Sequence, residues 1–149
     1  MTQNRWRPLE KHAENQAQRA ARLATEQQRR LTAAMRQQET IDAYARQMGA
    51  KANAWLSGND GCTAFLMRGV ERFHDTVQAV SLSQTAVLDN LRETRDAALK
   101  SALEADAHRR RIASLADRLD REGRLAEQRS ARRAEDDLTA SRVLSGNRR

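Results

Sequence analysis

The chain has 149 residues, 39% of them apolar and 32% charged, with one proline, two Trp, one Tyr, two Phe and a formal net charge of +7. So much charge beside so few large apolar side chains excludes a layered sheet protein with a broad core. It favours long helices, because Ala, Arg, Glu, Gln and Leu are the strong helix formers. No run of about 18 apolar residues occurs, which excludes a transmembrane helix.

The opening segment, MTQNRWRPLEKHAE, lacks the apolar centre of a signal peptide. Cys62 is the only cysteine, so no intramolecular disulfide can form. The expected setting is a reducing cytoplasm.

The first predicted element is a helix over residues 9–56. Every seventh residue from Trp6 reads Trp6, Ala13, Ala20, Gln27, Ala34, Ile41, Met48 and Trp55. A companion row offset by four reads Glu10, Ala17, Ala24, Leu31, Gln38, Ala45 and Ala52. Together the rows form a heptad seam of small and apolar residues.

Turn formers then cluster in SGNDGC, residues 57–62. Ser57–Gly58 ends the first helix, with Gly58 suited to the left-handed position past a helix end. Asn59 and Asp60 are candidate caps for the next helix, and Asp60 also suits its positive end.

A second helix is predicted over 63–142. One of its rows is Leu66, Phe73, Val80, Val87, Thr94, Ser101, His108 and Leu115. The other is Val70, Val77, Gln84, Leu91, Ala98, Ala105, Ile112 and Leu119.

Two seams flanking one tight turn predict a single all-α domain: a long two-helix antiparallel coiled-coil hairpin. Paired positions would sum to about 120. Ala45 would then face Phe73, Ile41 would face Val77 and Val80, and Trp6 would face Ile112 and Leu115. At 1.5 Å per residue the helices should be about 70 Å and about 120 Å long. The C-terminal helix would therefore overhang, with Gly123 as its weak point. The residues 145–149 are expected to be a disordered tail. Gln27, Gln38 and Gln84 in the seam should fix register while lowering stability.

Charge is distributed unevenly. Residues 1–36 carry eight basic and three acidic side chains, and residues 105–149 carry twelve and eight. Residues 37–104 carry seven basic and nine acidic. A hairpin gathers the first two segments into one basic open end, which points to an acidic partner. The plainer reading is that interleaved charges keep a coiled coil solvated.

Motifs for chemistry are absent. SGNDG is not a phosphate loop, and there is no nucleophile elbow or CxxC. His12 and His108 could approach across the hairpin, but a metal site needs further ligands. Cys62 beside a helix start could have a lowered pKa; a small turn residue is the simpler reading. The chain reads as a non-enzyme without cofactor, metal or small-molecule substrate.

Four stretches carry a family resemblance: LEKHAENQAQRAARLATEQQRR (9–30), IDAYARQM (41–48), FHDTVQAV (73–80) and RRAEDDLTASR (132–142). Each is a coiled-coil string of low specificity, but their order, spacing and the overhang together resemble the flagellar export protein FliJ family. The injectisome stalk proteins of the YscO type are similar in architecture. The resemblance implies a part in type III secretion, or in bacterial flagellum biogenesis and motility. It also implies peripheral association with the inner membrane at the export apparatus.

The implied partners are a hexameric export ATPase, whose pore takes the open end, an export-gate membrane protein, and export chaperones. The resemblance carries the gate contact onto Tyr44, Met48, Phe73, Val77, Val80 and Gln84. Met48 stands where an aromatic would strengthen the match, and Gln84 where some members have a basic or aromatic group. Phe73, Val77 and Val80 also lie on the seam and can be read as core alone, whereas Tyr44 lies beside it. The arginines of the overhang, Arg124, Arg129, Arg132, Arg133 and Arg142, are the candidate ATPase contacts.

The alternative is an Arg-rich nucleic-acid-binding or membrane-surface coiled coil. Against nucleic acid, acids interleave the bases and no aromatic lies among the C-terminal arginines. Against a membrane surface, the overhang has no broad apolar face with aromatics.

Overall fold

Pro8 decides where the first helix can begin. Proline lacks an N–H, but the first turn of a helix has no intrahelical acceptor for its N–H groups. The helix therefore starts upstream of it, with the Trp6 carbonyl accepting from the Glu10 N–H at 3.0 Å. A computed structural model describes residues 6–58 and 64–146. In it α1 spans Arg7–Ser57 and α2 spans Ala64–Gly146, with no strand among the described residues.

The observed ends differ slightly from those expected. The first helix begins two residues earlier than residue 9, for the reason just given. The second runs through Gly146, so residues 145 and 146, expected in a disordered tail, are helical. Gly58 stops α1 with its N–H on the Ala54 carbonyl at 3.1 Å, yet no described glycine has a positive φ. The left-handed conformation expected at Gly58 is thus not used. The capping expected of Asn59 and Asp60, and the reading of Cys62, fall outside the described residues.

The chain forms two compact units, Ala20–Ala102 and Met1–Arg19 with Leu103–Arg149. In the first, the turn-side unit, the helices pack antiparallel. Contacts pair Gln28 with Arg95, Ala34 with Gln84, Gln38 with Ser81 and Tyr44 with Phe73. One number rises as the other falls, and each pair sums to about 120, as coiled-coil register requires.

Every position from Trp6 to Ala52 in the two rows read for α1 is buried or half-buried. Trp55 is the exception and is exposed. On α2 the row Val70, Val77, Gln84, Leu91, Ala98, Ala105, Ile112 and Leu119 is likewise buried or half-buried.

The companion row on α2 is corrected by one residue beyond Phe73. Val80, Val87, Thr94, Ser101, His108 and Leu115 are exposed. The seam instead runs through Ser81, Leu88, Arg95, Ala102, Arg109, Ala116 and Gly123. The step from Phe73 through Val77 to Ser81 takes four residues twice, where a strict heptad alternates three and four. Such a stutter locally unwinds a coiled coil.

A polar layer sits at the stutter. The Gln38 amide donates to Ser81 Oγ at 3.2 Å and to Asp42 Oδ1 at 2.9 Å. The Gln84 amide donates to the Ala34 carbonyl at 3.1 Å. A larger apolar residue at position 81 would displace the Gln38 amide, so these bonds favour one register.

The core is thin. Buried apolar residues are Ala13, Ala17, Leu31, Ala34, Ala52, Leu88, Ala98 and Ala116. Leu31, Ala34 and Leu88 cluster, with Leu91 against them. Surface pairs such as Glu26–Arg30 and Arg118–Glu122 are exposed i,i+4 contacts, worth about 0.3–0.5 kcal/mol each. Seam burial and helix propensity together carry the fold.

Candidate functional site

Tyr44 sits at the edge of the α1 seam, between Ile41 and Ala45 on one side and solvent on the other. Its ring meets Phe73 of α2 edge-on, with centroids 5.8 Å apart and planes at 71°. That geometry places the positive edge of one ring on the negative face of the other. Thr40, Ile41, Thr76, Val77 and Val80 complete an apolar groove of about 350 Å³ around the pair. It is open to solvent, and Tyr44 is 52% exposed. Groove and rings lie wholly within the turn-side unit.

Of the six residues read as a gate contact, four share this groove: Tyr44, Phe73, Val77 and Val80. Val80 is exposed, whereas Phe73 and Val77 are half-buried on the seam. Met48 is half-buried and lies in a neighbouring groove, to which Phe73 also belongs. Gln84 is buried, and its amide is used on the Ala34 carbonyl. Its amide N–H is thus committed to holding register across the seam. The expected facing of Ala45 on Phe73 resolves into the Tyr44–Phe73 contact.

In the second unit α2 leaves the seam at Gly123. Every described side chain from Arg124 to Leu144 is exposed, including Arg124, Arg129, Arg132, Arg133 and Arg142. Between positions 124 and 133 there are four arginines against Glu127 alone; Glu135, Asp136 and Asp137 follow. Arg129, Arg132 and Arg133 stand three and four residues apart and so share one helix face. The cationic face is thus confined to one stretch of the helix. Nearer the seam, Asp106 accepts from Arg109 at 2.9 and 3.0 Å and meets Arg110 at 2.8 Å. The Arg109 hydrogen bonds hold its carboxyl below the usual range, against a partial desolvation that acts the other way.

Arg95 and Arg109 were invisible as seam residues because charge argues against burial. The row 81, 88, 95, 102, 109, 116, 123 has only Leu88, Ala102 and Ala116 as apolar members. Arg95 reconciles charge with the seam by reaching outward, donating to Gln28 Oε1 at 3.1 Å. Its Nε lies 2.7 Å from Asp96 Oδ1 but out of line for a hydrogen bond.

His12 and His108 are both exposed. Among the described residues no group of three or more His, Cys, Asp or Glu could hold a metal ion. No described helix is long and apolar enough to cross a membrane. Comparisons with known protein families, with curated proteins and with solved structures return no match to this chain.

Proposed function

We propose that this chain is a non-enzymatic stalk of a type III protein export apparatus, of the FliJ and YscO kind. Its cationic C-terminal helix enters the pore of a hexameric export ATPase. The Tyr44–Phe73 groove engages the membrane export gate, and the same chain hands over export chaperones.

The observation that carries this reading is the solvent-facing run of α2 beyond Gly123, where residues 124–144 have no buried side chain. A helix segment that buries nothing is marginal by itself. It gains stability when a partner covers it. Arg124, Arg129, Arg132 and Arg133 are placed to make charge-assisted hydrogen bonds to acidic loops. The open aromatic groove supplies a second contact, formed by both helices of the hairpin.

A pull-down from lysate at moderate salt tests the reading. Recovery of the export ATPase supports it. Recovery of nucleic acid that nuclease removes, without the ATPase, contradicts it and favours an Arg-rich nucleic-acid binder.

A further inference from the structure

From Gln47 to Val70 the only charged residues are Lys51, Asp60 and Arg68, in a chain that is 32% charged. At the turn end of the two helices Trp55, Leu56, Phe65, Leu66 and Met67 are all exposed, Phe65 at 79%. Neighbours in sequence stand about 100° apart around a helix. Trp55 and Leu56 therefore point apart, as do Phe65, Leu66 and Met67. The exposed apolar side chains thus span about 100° of the α1 end and about 200° of the α2 end.

That distribution decides between occupants. A groove of about 260 Å³ lies between the helices and is lined in part by Trp55, Phe65 and Leu66. One partner helix could fill it, but Leu56 and Met67 do not line it and would stay wet. A surface that surrounds the helix ends would cover all five.

Charge points the same way. Among described positions 46–58 and 64–72 the cations are Arg46, Lys51, Arg68 and Arg72, and Glu71 is the one acid. Lys51 precedes Trp55 by one turn, and Arg68 follows Phe65 by nearly one. At about 1.5 Å per residue, Lys51 stands about 6 Å behind Trp55 and Arg68 about 4.5 Å behind Phe65.

We propose that the helix ends carrying Trp55, Leu56, Phe65, Leu66 and Met67 insert into the interfacial region of an anionic lipid bilayer. Interfacial segments bury their apolar side chains about 5–10 Å deep, a depth of the same order as the setback of Lys51 from Trp55 and of Arg68 from Phe65. Tryptophan prefers this layer. Lysine and arginine lay their stems along apolar surface and lift their charges to the headgroup phosphates. No described helix can cross the bilayer, so the attachment is peripheral. The inference stands on the helix ends alone and is independent of the export-stalk reading.

The two tryptophans provide the test. Trp6 belongs to the other, basic unit, whose arginines attract an anionic surface without insertion. Full-length protein carrying Trp6→Phe reports on Trp55, and Trp55→Phe reports on Trp6. Each is titrated with phosphatidylcholine vesicles, with and without phosphatidylglycerol, and with lipids brominated near the headgroup end of the acyl chain. Trp55 should shift to the blue and be quenched by the brominated anionic vesicles, while Trp6 is not quenched.

Phe65→Ser with Met67→Ser, at exposed positions where the fold loses little, should weaken partitioning at least about tenfold. Lys51→Gln with Arg68→Gln should weaken it about twenty-five-fold on anionic vesicles and leave neutral vesicles unaffected. Four outcomes overturn the proposal. They are an unquenched Trp55, quenching of Trp6 in its place, unchanged partitioning of the serine variant, and a concentration-dependent blue shift of Trp55 without vesicles. The last would assign the apolar end to contact between copies of the chain.

Discussion

Leu88 and Val87 are adjacent, yet they stand on opposite sides of the question of where the seam runs. Leu88 is 6% exposed and packs with Leu31 and Ala34, whereas Val87 is 46% exposed. Leu88→Ala removes three carbons' worth of buried apolar surface, about 2.4 kcal/mol at about 0.8 kcal/mol per methylene. A residual cavity adds to this, but a two-helix seam can close partly around it. The expected cost is therefore near the lower end of the range of about 2–5 kcal/mol for buried leucines. Val87→Ala removes two carbons that are already half in water, a loss of about 0.8 kcal/mol. Most of that is offset by the better helix propensity of alanine, worth about 0.5 kcal/mol. Urea unfolding followed by circular dichroism measures both. A large loss for Val87→Ala with little for Leu88→Ala would refute the observed seam and restore the strict heptad row through Val87.

Other substitutions probe single features. A Cβ added at Gly69 meets nothing within 4 Å, so Gly69→Ala should stabilise α2 by about 0.5–1 kcal/mol through propensity alone; thermal melting would register it. Tyr44→Ala breaks the edge-on contact with Phe73 and should cost about 1 kcal/mol, with helicity retained and binding to the export gate weakened; unchanged gate binding would assign Tyr44 to packing only. Asp106 has a lowered folded pKa, so its pairing with Arg109 and Arg110 contributes fully above the ordinary carboxylate pKa of about 3.9 and is lost as pH falls through the folded value. Asp106→Asn should therefore melt below the parent at neutral pH, and the gap should close on acidification through that window.

Much of the fold is legible because α1 obeys one rule along its length. Small or apolar residues recur at heptad spacing from Trp6 to Ala52, and burial follows them even where they are Gln27 and Gln38. On α2 the rule breaks at the stutter between Val77 and Ser81. Beyond it, apolar residues continue at Val80, Val87 and Leu115 beside the seam, while Ser81, Arg95 and Arg109 lie within it. Hydrophobicity alone selects the wrong row there, because long polar side chains can leave their stems in the seam and carry their heads to the rim. Glycine misleads for a different reason. Gly58 ends its helix without a positive φ, and a left-handed cap was only the commonest use of a glycine at that place.

The candidate sites were legible to unequal degrees. Tyr44 stood out as an aromatic beside the seam, and its groove with Phe73, Val77 and Val80 follows from the register. Gln84 was legible as a polar seam residue that fixes register, and it is buried there with its amide on the Ala34 carbonyl. Exposure of Trp55 and Leu66 was hidden because both fit the heptad count. The shortage of charge from Gln47 to Val70 is the sequence signal that separates that end from an ordinary coiled-coil seam.

The central claim, that the cationic run of α2 beyond Gly123 docks into the export ATPase, is tested most directly by titrating the purified ATPase with the full chain, with a chain ending at Gly123 and with Arg132→Glu/Arg133→Glu. Hexamer assembly and ATP turnover are read across a range of salt concentrations. Both variants should unfold as cooperatively as the parent, because residues 124–144 bury no side chain, and both should fail to stimulate the ring. Full stimulation by the shortened chain at every salt concentration would contradict the account.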